Sequence, residues 1–485
     1  MRRAGARAWA VTGVLLTVLG TAGLVSRPVA AQAFDVRPGP VVLSGELLAA
    51  ALTGLVPGAR VEVTAERLAS SCCTPGRPNV FRSRATFQAD AAGRVDLAAA
   101  APLAGTYAGA DAAGLFWSMR LAPAYVDTAG LGLGRGRVRL TARPVAAGDT
   151  AAAVGAPALA ATVVTLRASD PAVVVDSVPG FPGAVFAYLP TAPGAPPRPA
   201  LIVLGGSEGG AAAARADAPR FASYGYAVLG LPYYSPGQDD AKREIPALPR
   251  SFVNIAVDRL EAARAWLARR PDVDVKRLGL YGVSKGAEFT LLAASRYPWV
   301  AAAAAIVPSD VVWEGWGADA GGAGKASSFA VRGRPLPFVP YGDMDSTFAR
   351  IGRGEPIGIR AMHDAGRRAH PARAAVARIP VERYRGPLLV AGAGDDHVWA
   401  SGQMAQAVAE RRAEHGLATT LLVFPEAGHA LSGDGWAPTT GSERSLGGTA
   451  AATAGAQRAT WAATLAFFAR ALQPPATDRE RAASR

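Results

Sequence analysis

From about residue 174 onward the chain alternates continuous apolar runs with helix-length amphipathic segments, a grammar that few folds satisfy. PALIVLGG, YGYAVLGL, RLGLYGV, VAAAAAIV, GPLLVAGAG and ATTLLVF are apolar along their length rather than at every second residue. Such runs bury both faces, as parallel strands do when helices cover each side of their sheet. Between them, SFVNIAVDRLEAARAWLARR predicts a helix with Phe252, Ile255, Ala256, Leu260, Ala263 and Leu267 on one face. The last helix carries Trp461, Leu465, Phe468 and Leu472 as a core-facing stripe. Strand and helix alternating over roughly 300 residues predict an α/β fold with a doubly wound, mostly parallel sheet. The Pro-rich TAPGAPPRPA at 191–200 is a connection inside this unit, because strands flank it.

Residues 34–170 obey a different rule. VVLSGEL, ARVEVTAERL, RATFQADAAGRVDL, GLFWSMRL, GRVRLTARPV and ATVVTLRA are short alternating runs separated by Gly, Pro and Asp turns, which predicts an antiparallel β-sandwich. A chain of 485 residues is long enough for two such domains, since single cores rarely grow past about 250 to 300 residues. The expected division is 34–170 and 171–475, with 476–485 a disordered tail. One long segment, about 310–380, breaks the alternation and holds two tryptophans, many glycines and SSFAVRGRPLPFVPYGD. Its aromatic content predicts an ordered cap over the site rather than a loose loop.

The N-terminus reads as an export signal. Basic MRRAGAR precedes the apolar AWAVTGVLLTVLGTAGLV, and SRPVAAQA offers small residues at Ala31 and Ala33. Cleavage after Ala33 defines residues 1–33 as the signal peptide, with Ala31 the alternative; an uncleaved anchor fits less well, because Thr and Gly interrupt the apolar run. Arg2 and Arg3 are adjacent but lack the surroundings of a twin-arginine signal, so the export route stays open. The mature chain is expected in the periplasm or outside the cell, without a stable membrane span. The formal charge of +13 is spread as single arginines without basic blocks or interleaved aromatics, so no nucleic-acid partner is expected. The two cysteines, Cys72 and Cys73, are neighbours, which strains a mutual disulfide and cannot make a four-ligand metal site. No metal or cofactor is expected, and no His pair has a ligating spacing.

The chemistry concentrates in RLGLYGVSKGAEFTLLAA, residues 277–294. Gly282, Ser284 and Gly286 spell Gly-x-Ser-x-Gly after a strand and before a helix, a turn so tight that its flanks must be small and the serine stands above the sheet. As a bare pattern the motif arises by chance in a chain with 55 glycines; the strand and helix around it make Ser284 a candidate nucleophile. A serine hydroxyl needs a base and an orienting acid, and in α/β-hydrolases these follow in the order Ser, acid, His after later strands. All five histidines lie beyond Ser284. His429 follows TTLLVF through a short PEAG turn, where the base belongs. His415 reads as a helix C-terminal residue, and His363 and His370 read as solvated in an Arg-rich stretch. His397 is a rival base, but it adjoins the candidate acids and would point the wrong way. For the acid, GPLLVAGAGDDHVWAS offers Asp395 and Asp396; spacing from Gly392 favours Asp395, and one of the two is expected merely to cap a turn.

Two backbone N–H groups should face the developing oxyanion. One is expected from Lys285, the residue after the nucleophile, and the other from LGGSEGG at 204–210, with Ser207 the candidate donor and Glu208 close behind. That loop lacks the Gly-Lys-Ser/Thr ending or the Gly-x-Gly-x-x-Gly spacing of a nucleotide site. Lys285 is one of four lysines; its side chain either pairs with Glu288 one helical turn on or meets an anionic acyl carrier.

GVSKGAE at the elbow, DDHVWAS at the acid, FPEAGH at the base, RGRPLPFVP in the insertion and GGTAAATAGAQRATW before the last helix together resemble the acyl-CoA thioesterase and bile acid-CoA:amino acid N-acyltransferase family. GTYAGADAAGLFWSM, 105–119, resembles that family's N-terminal β-sandwich. The resemblance implies a two-domain α/β-hydrolase that attacks acyl thioesters through an acyl-enzyme. It also implies Ser284 as nucleophile, His429 as base and, once Trp399 and Ser401 are aligned, Asp396 as acid. Serine at the elbow resembles the hydrolytic members, whereas the amino-acid-transferring members carry cysteine. The implied substrate is a small-molecule acyl thioester or ester. The alternatives are acyl transfer to an amine or alcohol, and an exported binding protein on a degenerate scaffold.

Overall fold

The computed structural model describes residues 31–473 apart from 70–76, 129–130, 132, 135, 238 and 323. The apolar leader 1–30, Cys72 and Cys73, and the expected tail 476–485 lie outside the described residues.

In the N-terminal part, Arg60–Leu68 is the centre of a seven-stranded sheet, pairing on one side with Val80–Gln88 and on the other with Arg137–Val145. Ala33–Arg37, Ala49–Thr53 and Val95–Asp96 form a three-stranded sheet. All pairings in these two sheets are antiparallel except the one joining Val41–Leu43 to Ala160–Arg167. Alternation does what period two requires. Val61, Val63 and Ala65 are fully buried among Phe87, Leu140 and Val164, while Glu62 and Glu66 meet Arg84 and Arg82 at 3.7 and 2.6 Å.

One run departs from the expected strand pattern. In GLFWSMRL, Gly114–Trp117 is a buried helical turn and only Arg120–Leu121 is extended. Asp111 holds that turn by accepting from Ala113 N and Trp117 Nε1 at 2.9 and 2.8 Å. A Cβ at Gly114 would fall 2.2 Å from the Tyr107 ring. The turn docks on the C-terminal part: Phe116 meets Trp436 edge-on at 5.0 Å, Arg458 reaches Asp111 at 3.1 Å, and Thr439 N donates to Trp117 O.

The second part is built on one eight-stranded sheet. Its strands are β1 (Val174–Ser177), β2 (Val185–Tyr188), β3 (Arg198–Leu204), β4 (Ala227–Gly230), β5 (Val273–Val283), β6 (Ala302–Ile306), β7 (Leu388–Ala393) and β8 (Thr420–Phe424). The order is β1-β2-β4-β3-β5-β6-β7-β8. Pairings β1–β2 and β2–β4 are antiparallel and the remainder parallel. The two faces carry separate cores. Along β3, Ala200, Ile202 and Leu204 face one with Leu260 and Phe289, and Leu201 and Val203 face the other with Phe221 and Phe468. This two-sided burial is why the strands read as unbroken apolar runs. β8, at one edge of the sheet, is less enclosed, and Leu421 is 38% exposed.

Helices α1 (Ala212–Ala222), α2 (Arg259–Ala268) and α3 (Lys285–Ala294) follow β3, β4 and β5. Helix α2 is shorter than its sequence pattern predicts. Ile255–Ala256 is instead a short strand parallel to Phe329–Ala330 of the insertion, and Phe252 stacks on Trp316 at 4.4 Å. Phe252 and Ile255 are therefore buried against the insertion, and Ala256 is exposed. The insertion supplies α4 (Met344–Gly352) and α5 (Arg360–Ala369); α6 (Ser401–Glu414) and α7 (Ala450–Ala471) complete the described helices used below. Trp461, Phe468 and Leu472 are buried and Leu465 packs beside them, as the stripe predicts.

Candidate active site

Because β3, β5, β7 and β8 run parallel, the turns that follow them open on one edge of the sheet, and this edge carries the chemistry. Ser284 sits between β5 and α3 with φ 56° and ψ −120°, a left-handed backbone that a non-glycine residue adopts only when its surroundings enforce it. The two glycines explain the enforcement. A Cβ at Gly282 would fall 2.1 Å from Gly286 O, and one at Gly286 would fall 2.3 Å from Gly205 O and Leu204 O. All ten residues of α3 are buried, so the elbow cannot relax outward.

His429 follows β8. Its Nε2 lies 2.9 Å from Ser284 Oγ and its Nδ1 lies 2.8 Å from Asp396 Oδ2. A carboxylate accepts, so Nδ1 carries the proton and Nε2 is free to take one from the serine. The loop before it is as crowded as the elbow: a Cβ at Gly428 would fall 2.0 Å from Gly447 O, and Thr453 Oγ1 accepts from Gly428 N.

Asp396 and Asp395 have separate fates. Asp396 is 1% exposed and accepts from Val398 N at 2.8 Å, Trp399 N at 3.2 Å and Ser401 Oγ at 2.5 Å, besides His429. Asp395 lies at the surface, where it accepts from Gly448 N and stands 3.3 Å from His397 Nε2. His397 is itself exposed and its Nδ1 bonds Arg444 O, away from Ser284. His415 closes α6 with its Nδ1 on Arg411 O.

Ser207 and Lys285 both line the cavity beside Ser284. A Cβ at Gly206 would lie 3.3 Å from Ser284 Cβ, so this loop runs in tight contact with Ser284. Glu208 folds back to accept from Gly206 N at 2.9 Å, and Tyr233 OH donates to Gly205 O at 2.6 Å. These bonds hold the loop.

The cavity measures about 510 Å³, part of it open to solvent, with Trp316, Phe348, Ile359, Met362 and Val398 among its walls. Lys285 shows how the cap is rooted in the elbow helix. Its Nζ donates to Glu288 Oε2 at 2.7 Å and Ser328 Oγ at 2.9 Å, and three rings, Phe252, Trp316 and Phe329, surround it at 5.1 to 5.6 Å. Glu288 also accepts from Trp313 N. Burial pushes the Lys285 ammonium down and the Glu288 carboxyl up, and their contact opposes both shifts. The pairing with Glu288 is thus made, and no free ammonium is left for an anionic carrier.

His363 corrects an expectation. The sequence reads it as solvated, but it is 2% exposed, with Nδ1 on Ile359 O at 3.0 Å and its ring edge-on to Trp313, Tyr341 and Trp399. The arginines around it in sequence point elsewhere: Arg360 pairs with Asp364 and Arg367 forks onto Asp310. The inward face of α5, one turn wide, holds Met362, His363 and Gly366. Sequence reasoning also passed over Ser401 and Trp399 as contacts of the acid and Thr453 as support for the His429 turn. Thr453 carries no local signature because it acts across 25 residues of chain, whereas Trp399 and Ser401 lie within five residues of Asp396 and served only to align it.

Strand order, elbow and histidine turn define an α/β-hydrolase. Residues 46–131 match the family model described as the acyl-CoA thioester hydrolase/BAAT N-terminal region, and 255–474 match the BAAT/acyl-CoA thioester hydrolase C-terminal model. Residues 184–314 also match the dienelactone hydrolase family. Acyl-coenzyme A thioesterase 1 of Rattus norvegicus is 30% identical over 362 residues, 73% of this chain and 75% of that protein. Peroxisomal succinyl-coenzyme A thioesterase of Mus musculus is 29% identical over 73% of this chain and 76% of its own length. Acyl-coenzyme A amino acid N-acyltransferase 2 of Rattus norvegicus is 27% identical over 88% and 95%. Among solved structures, a dienelactone hydrolase of Klebsiella pneumoniae aligns with a TM-score of 0.37 and 18% identity, covering 62% of this chain and 99% of its own. The chain belongs to the acyl-CoA thioester hydrolase and bile acid-CoA:amino acid N-acyltransferase family.

Proposed function

We propose that this protein hydrolyses acyl thioesters, with carboxylic esters as a related substrate, through an acyl-enzyme on Ser284. The observation that carries the reading is the unbroken chain Ser284 Oγ, His429 Nε2, His429 Nδ1, Asp396 Oδ2 at 2.9 and 2.8 Å. In this reading His429 takes the serine proton as Oγ attacks the thioester carbonyl, and the backbone N–H groups of Lys285 and Ser207 receive the oxyanion. The thiolate leaves with the proton from His429, and water, activated by the same imidazole, releases the acid. Asp396 orients His429 and offsets the charge it acquires. Support for an acyl thioester substrate comes from relatives named as acyl-CoA thioesterases, and support for an acyl group on the cap side comes from the apolar walls of the cavity.

Serine at the elbow favours water over an amine as acceptor. Acyl transfer remains the second reading, because a cap over the cavity is also a means of excluding water. The same proposal takes residues 1–33 as an export signal, with the mature enzyme in the periplasm or outside the cell, and 34–170 and 171–475 as its two domains. The test is fluorophosphonate labelling of the purified mature chain beside its Ser284→Ala and His429→Ala variants. Wild type is expected to label and Ser284→Ala to stay blank; labelling that persists in Ser284→Ala overturns the assignment. A series of acyl-CoA and nitrophenyl ester chain lengths, with and without an amine acceptor, separates hydrolysis from transfer.

A further inference from the structure

His363 occupies a position that the triad does not use. It lies on α5 with its Nδ1 against the carbonyl of Ile359, and a carbonyl only accepts, so Nδ1 carries the proton. Trp313, Tyr341 and Trp399 hem the ring in at 4.6, 4.9 and 5.5 Å between centroids. Burial among these rings pushes the imidazole down to about 3, which keeps it neutral at working pH. Its second nitrogen, Nε2, is then a lone-pair acceptor and nothing else. Among the described residues Nε2 has no hydrogen-bond partner, and it is not one of the polar atoms sealed inside protein. His363 lines the cavity, and Nε2 is the side-chain polar atom it has left for that space.

Besides His363, the lining carries the polar side chains of Ser207, Ser284 and Tyr341. Trp316, Phe348, Ile359, Met362 and Val398 present apolar surface, and Lys285 spends its ammonium on Glu288 and Ser328. One indole separates the acceptor from the base: Trp399 touches the His363 ring at 5.5 Å and the His429 ring at 5.6 Å. The two imidazoles thus share one neighbour, which puts Nε2 within reach of an acyl chain attached at Ser284.

We propose that His363 is a specificity-determining acceptor, which selects substrates presenting an O–H or N–H donor to the cavity, foremost a hydroxyl near the carbonyl end of the acyl chain. This rests on the acyl-substrate reading above. A buried acceptor left unpaired by a plain alkyl chain disfavours that chain, whereas a hydroxyl in register satisfies it.

The test is kcat/KM for matched CoA thioesters of equal chain length, one a β-hydroxyacyl and one unsubstituted. Wild type is expected to prefer the hydroxyacyl by about tenfold or more. His363→Phe, which keeps a ring and removes the acceptor, is expected to bring the ratio near one. His363→Gln restores an acceptor oxygen and is expected to recover part of the preference; fluorophosphonate labelling of Ser284 reports that each variant is folded. A second arm holds the acyl chain constant and compares CoA with a simple alkyl thiol. A CoA preference that disappears in His363→Phe assigns the donor to an amide N–H of the carrier and supports the same acceptor role. Equal kcat/KM in both arms, or a preference unchanged in folded His363→Phe, overturns the proposal. Nitrophenyl esters of the same acyl pair keep the two failures apart. Ester discrimination without thioester turnover breaks the thioester reading alone, and thioester turnover without discrimination in either arm breaks the His363 proposal alone.

Discussion

At the rim of the sheet, Ser284, Asp396 and His429 each leave a strand end through a turn with no spare room, whereas segment 310–380 reaches the same cavity with elements of uneven packing. Gly282, Gly286 and Gly428 sit where any Cβ would strike backbone. In the cap, α4 buries none of its residues, and Phe348 and Ile351 are each 39% exposed. The cap is secured at its root by Lys285, Glu288 and Ser328, and again where His363 enters the Trp313–Tyr341–Trp399 cluster. In the proposed mechanism a proton passes between Ser284 and His429 while Asp396 orients the ring, which tolerates little error in position, and the rim supplies that rigidity. Groups that line the cavity tolerate more, and the cap is looser where it meets solvent.

The contrast breaks first, if it breaks, at neighbouring aspartates. Asp396→Asn is expected to lower kcat/KM by about 10⁴-fold, because an amide no longer holds His429 in the required tautomer. Asp395→Asn, which changes a carboxylate at the surface, is expected to stay near wild type; equal losses in the two variants would remove the distinction.

Next in size is the root of the cap. Glu288→Gln leaves Lys285 buried without its countercharge, with an expected cost of about 3 to 5 kcal/mol in urea unfolding. Arg250→Ala, which opens a pair exposed at 40% and 47%, is expected to produce no measurable change. A Glu288→Gln protein as stable as wild type would show that the pair does not anchor the cap.

A smaller effect is read from pH. Burial holds folded His363 at about 3, well below its ordinary value near ~6.5. As pH falls below about 6.5 the unfolded chain binds a proton that the native state refuses, so this residue removes up to about 1.4 kcal/mol of stability per pH unit until about pH 3. His363→Phe is expected to flatten that slope. Urea midpoints for the two proteins that fall in parallel with pH would refute it.

The smallest change is expected at α4. Phe348→Ala removes a half-exposed ring from the cavity wall, so KM for long acyl chains should rise while stability shifts by less than about 1 kcal/mol. A collapse in stability would place α4 with the rim rather than with the loose part of the cap.

Particular residues show where sequence reasoning reached and where it stopped. The Gly-x-Ser-x-Gly elbow, the strand before it and the helix after it are contiguous, so local sterics made them legible. The strands of the main sheet were legible for the same reason, since burial on two faces writes itself into every residue of a run. Ile255 and Ala256 were misassigned to a helix because their partner strand, Phe329–Ala330, lies more than 70 residues away. Gly114–Trp117 was misassigned to a strand because a side chain, Asp111, overrode the alternating pattern. His363 was misread because the arginines around it in sequence point elsewhere, while the rings that enclose it come from three separate segments.

By itself the sequence determined the class of the fold, and it made legible the tight turn that holds Ser284, the place of His429 after the last strand and the adjacent pair Asp395 and Asp396. These depend on periodicity and on the steric demands of a few adjacent residues. Only the tertiary structure brought Asp396, the acid the resemblance implies, against His429 while leaving Asp395 at the surface, gave Lys285 to Glu288, and put His363 against the cavity. Each of those outcomes depends on which desolvated group meets which partner across distant chain segments, and burial exists only once the segments have packed.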